Sequence, residues 1–382
     1  MLGINSNINS LVAQQNLNGS QSALSQAITR LSSGKRINSA ADDAAGLAIS
    51  TRMQTQINGL NQGVSNANDG VSMIQTAASA LSSLTSSLQR IRQLAVQAST
   101  GSLSSSDQAA LQKEVSAQIA EVNRIASQST YNGTNILDGS AGSVTFQVGA
   151  NVGQTITLDL SQSMSAAKIG GGLVQTGATV GTVTVSTDST GTYTSTGATI
   201  TSVNVLSDGK GGYTFTDQNN QAISSGAVAN IFSNGTGAGS GTAITNLTLS
   251  NTLATAMGAT ASAAATAAIN QINAINNPPT VSGLDISTVT GANEAMVSID
   301  NALQTVNTLQ AALGAAQNRF TAIATSQQAE STDLSSAQSQ ITDANFAQET
   351  ANLSKAQVLQ QAGISVLAQA NSNPQQVLKL LQ

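Results

Sequence analysis

Cysteine, histidine and tryptophan are all missing from this chain of 382 residues, and Asp, Glu, Lys and Arg together make up 8% of it. An average soluble protein contains about 25% charged residues. Without cysteine and histidine, the chain has no disulfides, no thiolate or imidazole metal ligands, and no means of Cys-dependent or Ser-His-Asp catalysis. We therefore expect a protein that is not an enzyme, with no catalytic, metal-binding or cofactor-binding residues.

Basic clusters and long apolar runs are missing as well. The formal net charge is −5, whereas nucleic-acid binding depends on clustered Lys and Arg. No stretch approaches the roughly 18 apolar residues that span a bilayer, and the N-terminal sequence MLGINSNINS has neither the basic nor the apolar region of a signal peptide. These absences predict a soluble chain with no nucleic-acid partner, no membrane insertion and no cleavable signal.

The chain does contain long helical patterns at both ends, in residues 1–130 and 291–382. After Asp42 and Asp43, apolar residues alternate in steps of four and three, which predicts one helix of about 55 residues. A second stripe follows Ser104, and a third crosses residues 291–328. Stripes from opposite ends of the chain can bury one another in a bundle. We expect this bundle to be held by Ile57, Leu60, Ile74, Leu88, Leu303, Val306 and Phe320.

The outermost segments carry narrower apolar stripes with almost no charge beside them. Folding such segments alone would bury little, whereas a polymer could bury them on several sides and offset their ordering entropy. We expect them to be mobile in the monomer and helical in an assembly. The residues predicted to contact other copies are Ile4, Leu11, Leu17, Leu24, Leu359, Val366, Val377 and Leu381.

The middle of the chain has a β pattern. Alternating apolar residues between Val144 and Leu160 predict a β-hairpin beside the bundle. Residues 173–277 are rich in Gly, Thr and Ser and predict a small, mostly β domain. It would contain one Ala-rich helix near 261–275 and short strands such as 181–186, 200–205 and 212–216. Pro278 and Pro279 end that helix. The fold class expected is therefore mainly α with a β-rich insertion.

Three segments resemble bacterial flagellin. They are TRLSSGKRINSAADDAAGLAIS at 29–50, QRIRQLAVQ at 89–97 and SQITDANFAQETANLSKAQVLQQAGISVLAQAN at 339–371, and the hairpin FQVGANVGQTITLDL at 146–160 is similar too. The resemblance implies a terminal coiled-coil domain of residues 1–43 and 341–382, which forms the inner layer of a filament. It also implies a second layer of residues 44–175 and 283–340, and a variable surface domain of residues 176–282.

The same resemblance implies partners and recognition residues. The subunit would polymerise with itself, contact the filament cap and hook-junction proteins, and leave the cell with an export chaperone through the flagellar secretion apparatus. Arg90, Arg92 and Glu114 match positions that a Toll-like receptor recognises, and Asp43 lies in a segment that plant receptor kinases detect. From the residues alone, Asp43 predicts a helix cap, and the other three predict an exposed helix face.

Two other functions fit parts of the pattern. A hook-filament junction protein shares the helical ends but usually lacks the long matches at 29–50 and 89–97. A secreted adhesin, anchored by helical ends, would bind its ligand through the middle domain, yet that domain has few of the aromatic and Arg residues that dominate binding hot spots. The interpretation favoured is an extracellular structural subunit of the flagellar filament.

Overall fold

Long helices and small antiparallel sheets make up this protein. The computed structural model describes residues 7–233 and 246–380, with side chains up to residue 372. The helices are α1 Ile8–Ser33, α2 Ala44–Ala98, α3 Ser105–Gln128, α4 Ser225–Ile231, α5 Asn251–Met257, α6 Ala259–Ile275, α7 Val289–Thr342 and α8 Phe346–Leu380. The strands are β1 Thr130–Tyr131, β2 Thr134–Asn135, β3 Gly142–Gln147, β4 Thr155–Leu160, β5 Thr179–Thr187, β6 Ile200–Ser207 and β7 Tyr213–Asp217. These elements confirm the predicted fold class, mainly α with a β-rich insertion. None of the described helices is apolar over a length that would cross a membrane.

Helix α2 spans 55 residues, as the apolar alternation predicts. Asp43 caps its start, because the Oδ1 atom of Asp43 accepts a hydrogen bond from the Gly46 N–H at 2.9 Å. Gly59 and Gly63 lie where the loop between β3 and β4 crosses the helix. A Cβ added at Gly59 would come 2.8 Å from the Ala150 Cβ, and one at Gly63 would come 2.7 Å from the Val148 carbonyl carbon. Close packing of the loop therefore explains glycines that would otherwise weaken a helix.

The chain divides into two compact units. The first comprises the described residues of Met1–Asn68, Gln147–Thr155 and Ala322–Gln382, and it contains α1, α8 and the loop of the β3–β4 hairpin. The second comprises Asp69–Phe146 and the described residues of Ile156–Thr321. The seven residues predicted to hold the helical bundle are all buried except Leu303, which is half-buried.

In the second unit, Phe320 is fully buried and packs edge-to-face on Phe146, with 5.3 Å between the ring centroids. A Cβ at Gly70 would come 2.7 Å from the Phe320 ring. The ring therefore occupies the space that a side chain at Gly70 would need. Packing of this kind is typical of a tightly filled core.

The middle of the chain forms its own core. Strands β5, β6 and β7 make one antiparallel sheet in sequence order, and their inward residues pack with α4, α5 and α6. The three predicted strands and the Ala-rich helix are present, but the expectation of a single helix here was wrong. Helices α4 and α5 have seven residues each, so they are too short to show a helical period. Burial of Val228, Ile231 and Leu253 stabilises them instead.

Candidate subunit interface

Helices α1 and α8 pack against each other antiparallel. The Asn7 side-chain amide donates a hydrogen bond to the Ala370 carbonyl at 2.8 Å. At the other end, Arg30 Nη1 and Glu349 Oε1 form an ion pair at 3.3 Å, in which the Glu349 side chain is 9% exposed. Because residue 7 meets 370 and residue 30 meets 349, the two helices run in opposite directions. The polar contacts at both ends fix their register.

The seam between these helices follows the three-and-four alternation of a coiled coil. Its least exposed positions are Ala13, Leu17, Ser20, Leu24, Ala27 and Leu31 on α1, and Glu349, Leu353, Ala356, Gln360, Gly363, Leu367 and Ala370 on α8. Many of these residues are small or polar. The pair therefore buries little apolar surface within one subunit.

Further large apolar side chains lie outside the seam and are exposed. Leu11 is 71% exposed, Leu359 is 49% exposed and Val366 is 56% exposed. The exposed apolar residues of the pair are Ile8, Leu11, Val12 and Ile28 on α1, and Phe346, Val358, Leu359, Ile364 and Val366 on α8. Residues 8–29 and 356–378 contain no Asp, Glu, Lys or Arg. Burial of this surface would therefore remove apolar groups from water without desolvating any charge of these segments.

The predicted contact residues fall into three groups. Leu11, Leu359 and Val366 are exposed, as residues that meet another copy would be. Leu17 and Leu24 are half-buried and lie in the seam between α1 and α8. Ile4 and Leu381 lie outside the described residues, as does the side chain of Val377.

A groove, which we call the terminal groove, runs between α1 and α8. Its volume is about 510 Å³, whereas one water molecule occupies about 30 Å³ in the liquid. The lining residues are Ala13, Gln15, Asn16, Gly19, Ser20 and Ala23 of α1, and Leu359, Ala362, Gly363 and Val366 of α8. Small residues on both helices make room for it, and two of the predicted contact residues form part of its wall.

The segments that lead into α2 and into α8 are hydrogen-bonded to each other. The Arg36 N–H donates to the Thr342 carbonyl at 2.6 Å, and the Ala344 N–H donates to the Gly34 carbonyl at 2.9 Å. Lys35 and Asp343 form an antiparallel bridge between these bonds. We call this set of contacts the connector clasp. It ties together the ends of α1 and α7.

The charged residues predicted for receptor recognition lie on exposed surfaces. Arg90 Nε donates a hydrogen bond to Glu114 Oε1 at 2.7 Å, so the structure brings these two residues together. Arg92 instead pairs with Asp300, with 2.6 Å between Nε and Oδ1, and these hydrogen bonds raise the pKa of the Arg92 guanidinium. Exposed pairs of this kind contribute only about 0–1 kcal/mol to stability.

Sequence reasoning missed Asp300 and the small residues of the terminal groove. Asp300 is 208 residues away from Arg92 in the chain, so no local pattern connects them. Gly19 and Gly363, inside the charge-free stretches 8–29 and 356–378, were a usable signal, because glycine in a helix interior usually has a packing reason. Among the residues that the structure describes, no three acidic side chains gather where they could hold a metal ion.

Family models and relatives agree along the chain. The model of the bacterial flagellin N-terminal helical region matches residues 4–142, that of the flagellin D2 domain matches 172–275, and that of the bacterial flagellin C-terminal helical region matches 296–381. Flagellin B of Vibrio cholerae is 36% identical over 392 residues, covering 100% of this chain and 99% of that protein. B-type flagellin of Pseudomonas aeruginosa is 35% identical, with 100% of both chains covered.

A solved structure supports the same relationship. FliC from Burkholderia pseudomallei is 65% identical in sequence, with a TM-score of 0.60. The match covers 65% of this chain and 99% of that one. All these matches favour a filament subunit over a junction protein or an adhesin.

Proposed function

Because this chain belongs to the bacterial flagellin family and is a structural, non-enzymatic subunit of the extracellular flagellar filament used for motility, we propose how its parts are used there. Residues 1–43 and 341–382 form the inner filament layer, and residues 44–175 and 283–340 form the second layer. Residues 176–282 form the exposed outer domain.

The observation that carries this proposal is the uncharged, largely unpaired apolar surface of α1 and α8. Leu11, Leu359 and Val366 are exposed although water is a poor environment for them. Homopolymers bury such residues against other copies of the same chain. Ile4, Leu17, Leu24, Val377 and Leu381 complete the proposed set of contacts in the assembly.

Partners beyond the filament itself belong to the same proposal. The subunit travels with an export chaperone through the flagellar secretion apparatus and is added between the hook-junction proteins and the filament cap. Arg90, Arg92 and Glu114 present charged side chains on α2 and α3 to a Toll-like receptor when the chain is a monomer. Asp43 belongs to the segment that a plant receptor kinase would detect.

Seeded polymerisation tests the proposed layers. The full chain and a variant trimmed to residues 44–340 are each mixed with filament fragments, sedimented, and examined by electron microscopy. The full chain should give long filaments, and the trimmed chain should stay in the supernatant while circular dichroism shows that it keeps its helices. If the trimmed chain also elongates the seeds, the termini are not the essential layer.

A further inference from the structure

The terminal groove has the shape and chemistry of a receiving site for aliphatic side chains. Gly19 and Ala23 leave space on the α1 side, Ala362 leaves space on the α8 side, and Leu359 and Val366 add apolar walls. A Cβ built at Gly19 would have no atom within 4 Å. The space is therefore open, and none of the residues that the structure describes fills it.

The chemistry of the groove excludes several kinds of occupant. Among the described lining residues, the polar side chains are the amides of Gln15 and Asn16 and the hydroxyl of Ser20. No charged residue occurs in residues 8–29 or 356–378, so the groove has no local charge that would attract nucleic acid, phosphate or a charged peptide. An uncharged apolar segment is the partner that fits.

The same chain supplies such a segment. Ile8, Leu11 and Val12 are 63%, 71% and 51% exposed, and their spacing of i, i+3 and i+4 places them on one face of α1. The seam positions Ala13, Leu17 and Ser20 point to a different side of the helix, because they are offset from this spacing. We call Ile8, Leu11 and Val12 the α1 knob.

We propose that the terminal groove of one subunit receives the α1 knob of a second copy. The proposal rests on the function proposed above and names the contact through which the termini associate. Groove and knob are separate sets of residues, and the contact proposed is head-to-tail, with the knob of each subunit in the groove of the next. A head-to-tail contact that does not close into a ring produces an open helical polymer.

Two sets of variants test this contact. Gly19→Leu fills the groove where the structure shows open space, and Gly19→Ala is the matched control, because a methyl group meets no atom there. The double variant Ile8→Ser/Leu11→Ser removes most of the knob and leaves the groove intact. Circular dichroism of each monomer establishes that the helices are kept.

Gly19→Leu and the knobless double variant should each raise the critical concentration for seeded polymerisation by about tenfold or more, equivalent to about 1.4 kcal/mol. Gly19→Ala should polymerise like the unmodified chain. If Gly19→Leu also polymerises like the unmodified chain, the groove is not a contact. This outcome leaves the layer proposal intact, whereas failure of the unmodified chain to elongate seeds would overturn the layer proposal itself.

Mixing experiments then test whether groove and knob meet each other. At a growing end, an incoming subunit binds through either its groove or its knob, and the other surface receives the next subunit. The variant that keeps the surface needed for joining can therefore bind the end and block the next addition. The variant that lacks this surface cannot join the filament. We expect one of the two variants to stop growth of the unmodified chain at substoichiometric amounts and the other to be inert. If both stop growth alike, or neither does, the pairing of groove and knob is wrong.

Discussion

Gly63 in α2 offers a test in which two effects of known size oppose each other. Replacing glycine with alanine in a helix interior normally stabilises the helix by about 1 kcal/mol. At Gly63, however, the new methyl group would come 2.7 Å from the Val148 carbonyl carbon and 2.8 Å from Gln327 Oε1. Backbone atoms cannot move aside as a flexible side chain can, so the hairpin loop itself must shift.

The cost of this shift determines whether Gly63→Ala stabilises or destabilises the fold. Overpacking of this kind costs about 1–3 kcal/mol. The Val148 and Gly149 N–H groups also donate to the Gln154 carbonyl at 2.9 and 3.2 Å, and each bond that the shift weakens costs about 1 kcal/mol. With one of these bonds weakened and the helical gain subtracted, we expect Gly63→Ala to destabilise the fold by about 1–3 kcal/mol. This corresponds to a melting temperature lower by about 2–12 °C.

Gly314 in α7 provides the matched control, because a Cβ there would have no atom within 4 Å. Gly314→Ala should raise the melting temperature by about 2–4 °C, as expected from helix propensity alone. Thermal unfolding followed by circular dichroism compares both variants with the unmodified chain. If Gly63→Ala is as stable as Gly314→Ala, close packing of the loop is not the reason for the glycine.

Three further outcomes are expected. Val366→Asp should abolish pelleting of filaments while circular dichroism shows unchanged helices, because a charge would enter a surface buried only in the assembly; normal pelleting would contradict the proposed contact. Phe320→Ala should destabilise the fold by about 3–5 kcal/mol in denaturant titration, because the ring is fully buried; a loss below about 1 kcal/mol would contradict this. Burial raises the pKa of Tyr213 to about 12, above its ordinary value of about 10. The stability that this raised pKa contributes is therefore complete below about pH 10 and lost between about pH 10 and 12. Denaturant titrations across this pH range should show the loss for the unmodified chain but not for Tyr213→Phe.

The long elements were predictable because their signals are long and repeated. The alternation of apolar residues continues through many turns from Met53 to Ala98, and helix α2 also ends at Ala98. Strands β5 to β7 were predictable from Thr- and Val-rich alternation between turn residues. Helices α4 and α5 were not, because seven residues show less than two full helical periods and tertiary burial decides their conformation.

The surfaces of α1 and α8 were only partly predictable. Large apolar residues suggested one stripe through Leu11, Leu17 and Leu24, but the structure separates exposed Leu11 from the half-buried other two. The seam uses small residues such as Ala13 and Ala27, which carry a weak hydrophobic signal. In the sequence, the seam face and the exposed face of α1 therefore looked like a single apolar stripe.

The connector clasp has a mechanical consequence. A pull on α1 and α8 passes toward the rest of the chain through two separate peptide segments, one at Gly34–Arg36 and the other at Thr342–Ala344. Hydrogen bonds from Arg36 to Thr342 and from Ala344 to Gly34 join these segments side by side. Tension and twist are therefore shared between these two segments. Neither segment can extend alone without first breaking its hydrogen bonds to the other.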